Sequence, residues 1–128
     1  PKNIVALSIN AKTGVDVQTS MILQYENAQA ILYCGIANES DNNAKVGGTE
    51  GEILLQGFWH NAQKVKLTKG GDARIEDFPS EGNGFIPEIE EVNRCISSGK
   101  KESELWSHKD ALELGNMVEQ VFSIIKVK

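Results

Sequence analysis

The 128-residue chain contains few histidines, cysteines, prolines and aromatic residues, and it lacks any long apolar run. Its two histidines and two cysteines do not recur at the spacing of paired metal ligands, which argues against the common zinc motifs. No apolar stretch approaches the roughly 20 residues that a membrane-spanning helix needs, and the first residues lack the layout of a signal peptide. We therefore expect a cytoplasmic protein in which Cys34 and Cys95 are reduced and serve packing, with a disulfide or metal site as the alternative.

The charge balance is acidic, with 18 Asp and Glu against 13 Lys and Arg and a net charge of −5. An acidic chain without a basic cluster is a poor partner for a phosphate backbone, so nucleic acid is not expected to bind. The apolar fraction of 40% is that of a globular protein, and the length suits one domain with its own core.

Most of the chain before residue 78 alternates between apolar and polar residues, as a half-buried strand does. This alternation predicts strands at 4–10, 17–25, 29–36, 44–48, 52–56, 64–67 and 73–76, with a hairpin turn at Glu26 and Asn27. Two amphipathic helices are predicted after these strands. The order indicates an α+β fold with a largely antiparallel sheet and two C-terminal helices covering one of its faces.

The first predicted helix has both ends marked in the sequence. Pro87 suits a first helical turn, and Gly99 can take the left-handed conformation that ends a helix. An apolar stripe of Phe85, Ile89, Val92 and Ile96, with Cys95 at its margin, is expected to face the sheet.

The second predicted helix starts at a capping box formed by Ser107 and Asp110. Its apolar side is predicted to comprise Ala111, Leu114, Val118, Val121, Phe122 and Ile125.

Both faces of the predicted sheet carry apolar residues. Because the helices can cover only one face, Ile22, Ile31 and Tyr33 are left on the other, and an exposed patch of this kind commonly marks an interface. We therefore expect a homodimer in which two sheets pack face to face about a two-fold axis.

Few residues suggest a chemical site, and no catalytic set is visible in this chain. Gly82, Asn83 and Gly84 precede a helix, where anions can bind, but they lack the glycine register of a dinucleotide fingerprint, which favours a structural turn. His60 is expected to be solvated. Trp59 lies in a loop outside any strand pattern and is equally consistent with a pocket wall and with a cap on the core, and Phe78 is a second candidate of the same kind.

Several segments, taken in order, resemble the C-terminal domain of the Gfo/Idh/MocA oxidoreductases, and most closely the branch of trans-dihydrodiol and D-xylose dehydrogenases. The resemblance covers nearly the whole chain. It rests on Thr13-Gly14-Val15-Asp16, on Gly48-Thr49-Glu50-Gly51 followed by a strand and Trp59, and on Gly84-Phe85 with Glu88-x-x-Glu91-Val92-x-Arg94-Cys95-Ile96-x-x-Gly99-Lys100-x-Glu102-Ser103.

The resemblance implies a GAPDH-like C-terminal domain, spanning residues 1–128, of a two-domain dehydrogenase. In that family an N-terminal Rossmann domain binds NAD or NADP. The Rossmann fingerprint is absent from this sequence, and so are the lysine and the helix that carry the family's proton transfer. The chain would therefore bind no cofactor and be inactive alone, while supplying dimer contacts and a pocket for a sugar, polyol or diol. The implied substrate-binding residues are Trp59, Phe78, Asn83 and Phe85. The alternative is a stand-alone assembly or ligand-binding module without catalysis.

Overall fold

The computed structural model describes residues 1–79, 82 and 84–126. Within these residues the chain forms seven strands and two α-helices, which confirms the α+β class. The elements are β1 (Asn3–Asn10), β2 (Asp16–Gln24), β3 (Gln29–Gly35), β4 (Ala44–Gly48), β5 (Gly51–Leu55), β6 (Lys64–Lys69), β7 (Asp72–Asp77), α1 (Ile86–Ser97) and α2 (His108–Ile125).

The strands form two antiparallel sheets, one of order β1-β2-β3 and one of order β4-β5-β6-β7, rather than the single open sheet that we expected. β3 pairs with β2, and β4 pairs with β5. The ladder of paired strands is therefore interrupted at the polar segment between β3 and β4. The chain divides accordingly into two compact units. The three-stranded unit comprises Pro1–Glu39 with the described part of Glu104–Lys128, and the four-stranded unit comprises the described part of Ser40–Ser103.

The core of the three-stranded unit lies between its sheet and α2. Ala6 on β1 packs with Val121 and Ile125 on α2, and Ile4 and Met21 join this cluster at its edge. Burying a side chain as large as valine or isoleucine contributes about 1.5–3 kcal/mol, so these few contacts account for much of the attachment of α2. The predicted apolar side of α2 is thus buried at its C-terminal end.

The start of α2 confirms the predicted capping box. The Ser107 side chain accepts a hydrogen bond from the Asp110 N–H, and the Asp110 carboxylate accepts one from the Ser107 N–H at 2.8 Å. The hydroxyl of Ser107 also donates to this carboxylate at 2.6 Å, and these bonds lower the pKa of Asp110. Two otherwise unpaired amides at the helix start are satisfied in this way.

Helix α1, in the four-stranded unit, ends as the sequence predicts. Gly99 has φ 68° and its N–H donates to the Ile96 carbonyl, while the Lys100 N–H donates to the Cys95 carbonyl. This pair of bonds is a Schellman motif, and it requires a residue that tolerates positive φ.

The expected packing of the α1 stripe is wrong. Ile89, Val92 and Ile96 are each more than half exposed, and Cys95, which we placed at the margin, is the buried residue of this helix at 7% exposure. The chain after the helix instead bonds to the side that carries Glu91, roughly a third of a turn away from the stripe. Among the described residues, no helix is long and apolar enough to cross a membrane.

Candidate functional site

The connection between β5 and β6 carries the candidate site, in the four-stranded unit. Gly57 and Phe58 have φ values of 55° and 44°, so two consecutive residues are left-handed. A short 3₁₀ turn, Trp59–Asn61, follows them, and the Asn61 N–H closes it on the Phe58 carbonyl at 2.7 Å. Gly57 adopts positive φ without steric strain, whereas a bulky residue such as Phe58 does so rarely. We call residues 57–61 the aromatic turn.

The aromatic turn presents its rings to solvent. Trp59 is 52% exposed, and Phe58 and His60 are also exposed. The His60 ring meets the rings of Phe58 and Trp59 edge-on, with centroid distances of 6.0 and 5.7 Å. Such T-shaped contacts are a favoured geometry for aromatic pairs. About half of the Trp59 side chain therefore remains open to solvent, which favours a pocket wall over a cap on the core.

Two further predicted substrate-binding residues, Phe78 and Phe85, lie at or next to backbone that is close to Gln63 or Asn61. The Phe78 N–H donates to the Gln63 carbonyl at 2.8 Å, and the Gln63 side-chain amide donates to the Asn61 side-chain oxygen at 3.1 Å. The same oxygen lies 3.3 Å from the position that a Cβ would take at Gly84, the residue before Phe85. The backbone of Phe78 and that of Gly84, next to Phe85, therefore lie beside Gln63 and Asn61. Three of the predicted substrate-binding residues are each about half exposed: Trp59, Phe78 and Phe85. Asn83 lies outside the described residues.

The aromatic turn and the segments beside it combine exposed aromatic rings with side-chain amides. Exposed aromatic rings with nearby amides can cover an apolar ring and hydrogen-bond its polar substituents. Within the described part of the chain, no group of three His, Cys, Asp or Glu side chains is placed to hold a metal ion.

The glycines before α1 are described at positions 82 and 84. The Asn61 side chain lies beside Gly84, 3.3 Å from the position that a Cβ would take there. This arrangement favours a structural turn at Gly82 and Gly84, whose φ values are 65° and 87°.

Four residues of the sequence motif that runs from Gly84 to Ser103 form a polar cluster. The Glu91 carboxylate accepts two hydrogen bonds from Arg94 at 2.7 and 2.8 Å and one from the Ser103 hydroxyl at 2.5 Å. The Cys95 thiol lies 3.4 Å from the same carboxylate. The bonds from Arg94 and Ser103 lower the pKa of Glu91 to about 2, whereas burial and the neighbouring carboxylate raise the pKa of Cys95. These motif residues fasten the chain after α1 to the helix.

The sheet of the three-stranded unit has an exposed apolar face opposite α2. Ile22 pairs with Val5 on one side and Ile31 on the other, and Tyr33 lies two residues along β3 from Ile31. The large apolar side chains of this face are exposed, and we call them the open face: Val5, Leu7, Ile9, Ile22, Ile31 and Tyr33. The structure therefore brings the three predicted interface residues together, outside the core that α2 covers.

Sequence reasoning missed Phe58, Asn43 and Asn61, which shape the aromatic turn. The only local signal was the Asn42-Asn43 pair, because asparagine tolerates left-handed backbone more readily than most residues, and Asn42 has φ 48°. Cys34 is also exposed rather than packed, since it lies on β3, whereas α2 packs against β1 at the other edge of the sheet.

The fold is shared with part of a solved dehydrogenase. The chain has the fold of a dehydrogenase C-terminal domain: it superposes on UDP-N-acetylglucosamine 3-dehydrogenase GnnA from Acidithiobacillus ferrooxidans with a TM-score of 0.80 at 12% identity, over 96% of this chain and 39% of that one. No family model matches the chain.

Comparison by sequence is more specific. The chain is similar to trans-1,2-dihydrobenzene-1,2-diol dehydrogenases from Xenopus tropicalis, at 29% identity over 99% of this chain and 41% of the relative. Those of Danio rerio (30%, covering 94% and 38%) and Homo sapiens (27%, covering 99% and 40%) are similar as well. The chain thus spans about two fifths of the length of these curated relatives. The predicted resemblance is confirmed: the chain is related to trans-dihydrodiol dehydrogenases of the Gfo/Idh/MocA family.

Proposed function

We propose that this chain is the substrate-site and oligomerisation domain of an NAD(P)-dependent oxidoreductase that acts on a trans-diol, sugar or polyol. The observation that carries the proposal is the exposure of Trp59, Phe78 and Phe85, two of them on backbone beside Asn61 or Gln63, in a chain related to diol dehydrogenases. The rings would cover the hydrocarbon part of the substrate, and the amides would bind its hydroxyls.

In this proposal NAD or NADP is bound by a domain outside this sequence, together with the groups that move the proton. The isolated chain is expected to bind neither cofactor and to be inactive. A cytoplasmic location stays a prediction.

The test is Trp59→Ala in the intact enzyme. The lost ring contact should lower kcat/KM for trans-1,2-dihydrobenzene-1,2-diol by about tenfold, mainly through KM, with the KM for the cofactor unchanged. Trp106→Ala is the matched control, because Trp106 is 55% exposed and lies outside the aromatic turn. Unchanged kinetics in Trp59→Ala, with a loss of folding stability instead, would contradict the proposed pocket.

We also propose that the open face pairs with its own copy in a homodimer. Six exposed apolar side chains on one flat sheet face form a patch that monomers rarely leave in water, and a two-fold axis lets such a patch meet itself.

Charged substitutions test the dimer. Ile31→Asp combined with Tyr33→Asp should give a folded monomer in sedimentation velocity, since a buried unpaired carboxylate is unfavourable. Ile75→Asp is the control, because Ile75 is exposed on β7 in the other unit. A monomeric wild-type protein at high micromolar concentration would contradict the dimer. Should the intact protein form the dimer yet turn over no diol or sugar, the stand-alone assembly module would be the better account.

A further inference from the structure

The aromatic turn adopts a backbone that its own residues do not favour. The left-handed conformation of Gly57 is cheap, but that of Phe58 brings Cβ close to the following carbonyl. A Cβ at Gly57 would meet nothing within 4 Å, so this glycine is needed for its φ and not for close packing. Strained backbone of this kind persists only where the surroundings hold it in place.

The holding contacts come from the segment before β4. The Asn43 side-chain oxygen accepts the Gly57 N–H at 2.7 Å, and the Asn42 carbonyl accepts the Trp59 N–H at 3.1 Å. The peptide group before Gly57 and the peptide group after Phe58 are therefore fixed to this segment, and the two left-handed residues lie between them. The Asn43 amide is itself oriented, because its nitrogen donates to the Asp41 carboxylate at 2.7 Å and leaves the oxygen towards Gly57.

We propose that Asn43 is a positioning residue for Trp59, an inference that rests on the proposed function of the aromatic turn as part of the substrate pocket. The bond from Asn43 to Gly57 keeps Phe58 at positive φ and so sets the direction in which the Trp59 side chain leaves the backbone. Without this bond Phe58 relaxes towards negative φ, and the Trp59 ring turns away from its place in the pocket.

The experiment uses the intact enzyme with trans-1,2-dihydrobenzene-1,2-diol as the probe. Asn43→Ala should raise the KM for the diol by about threefold to tenfold, which corresponds to the loss of one hydrogen bond, while the KM for the cofactor stays unchanged. It should also shift the Trp59 indole N–H resonance, which is assigned by its loss in Trp59→Phe. Asn27→Ala, in the exposed β2–β3 turn, is the control and should change neither quantity.

A double exchange makes the test sharper. In the variant that combines Asp41→Asn with Asn43→Asp, the amide at position 41 donates to the carboxylate at position 43, whose second oxygen accepts the Gly57 N–H. Both bonds are kept with the first one reversed, so the KM and the indole resonance should return towards the wild-type values. If Asn43 had a merely structural role, Asn43→Ala would lose thermal stability without any change in the KM for the diol, and that result would overturn the inference.

The two proposals fail in different ways. If Trp59→Ala raises the diol KM and Asn43→Ala alters neither the KM nor the indole resonance, the positioning role is wrong and the pocket remains. If Asn43→Ala shifts the resonance but neither variant alters the KM, the turn is positioned by Asn43 and the pocket assignment is wrong.

Discussion

The two units of the chain differ in the interactions that hold their helices in place. The three-stranded unit buries Ala6, Leu23, Val121 and Ile125 on the side of its sheet that faces α2. In the described part of the four-stranded unit, Cys95 is the one residue classed as buried, and polar bonds around Glu91 fasten its helix. Apolar packing therefore dominates the first unit, and hydrogen bonds shape the second.

This difference matches the two proposed tasks. A unit with an apolar core can leave its other sheet face flat and apolar, as an association surface requires. A unit held by directional bonds can fix loops in unusual conformations, and the left-handed residues of the aromatic turn are an example. Recognition of a small molecule benefits from such fixed loops, because less freedom is lost when the ligand binds.

The largest expected effect concerns the core of the three-stranded unit. Leu23 is 3% exposed, so Leu23→Ala should lower the free energy of unfolding by about 2–5 kcal/mol in denaturant titration. Leu112→Ala removes the same atoms from a side chain of α2 that is 68% exposed, and it should stay within about 0.5 kcal/mol of wild type. Equal effects of the two substitutions would mean that this unit has no distinct apolar core.

A smaller effect is expected from pH at the polar cluster of the four-stranded unit. Because the pKa of Glu91 is about 2 in the folded chain and 4.5 ordinarily, ionised Glu91 stabilises the fold above pH 4.5, and this stabilisation is lost as the pH falls towards 2. The advantage of wild type over Glu91→Gln in unfolding should shrink across that window.

The same cluster offers a direct titration. The carboxyl carbon resonance of Glu91 should report a pKa near 2, and either Arg94→Gln or Ser103→Ala should raise it towards 4.5. A pKa of Glu91 near 4.5 in the wild-type protein would show that its hydrogen bonds from Arg94 and Ser103 do not persist in solution.

Features that depend on near neighbours could be predicted from the sequence. Ser107 and Asp110 lie three residues apart, and the glycine that ends α1 comes just after the helix. The capping box and the left-handed glycine at the end of α1 could therefore both be predicted. Strict alternation likewise assigned Ile22, Ile31 and Tyr33 to one face, because a strand has a period of two.

Features that depend on distant contacts could not be predicted. The division into two sheets and the burial of Cys95 instead of Ile89 depend on where the chain returns after each element. Asn43, which accepts the N–H of Gly57 beside the left-handed Phe58, lies 14 residues before that glycine, and phenylalanine itself gives no sign of left-handed backbone. Trp59 and Phe78 could be singled out as pocket candidates, whereas the residues that hold them could not.

The most direct test of the central claim is a crystal structure of the intact enzyme with trans-1,2-dihydrobenzene-1,2-diol bound. We expect the Trp59 and Phe78 rings to lie within about 4 Å of the bound diol, which is the distance of apolar contact, with Phe58 still at positive φ. A diol bound elsewhere, with both rings buried against protein instead, would contradict the account.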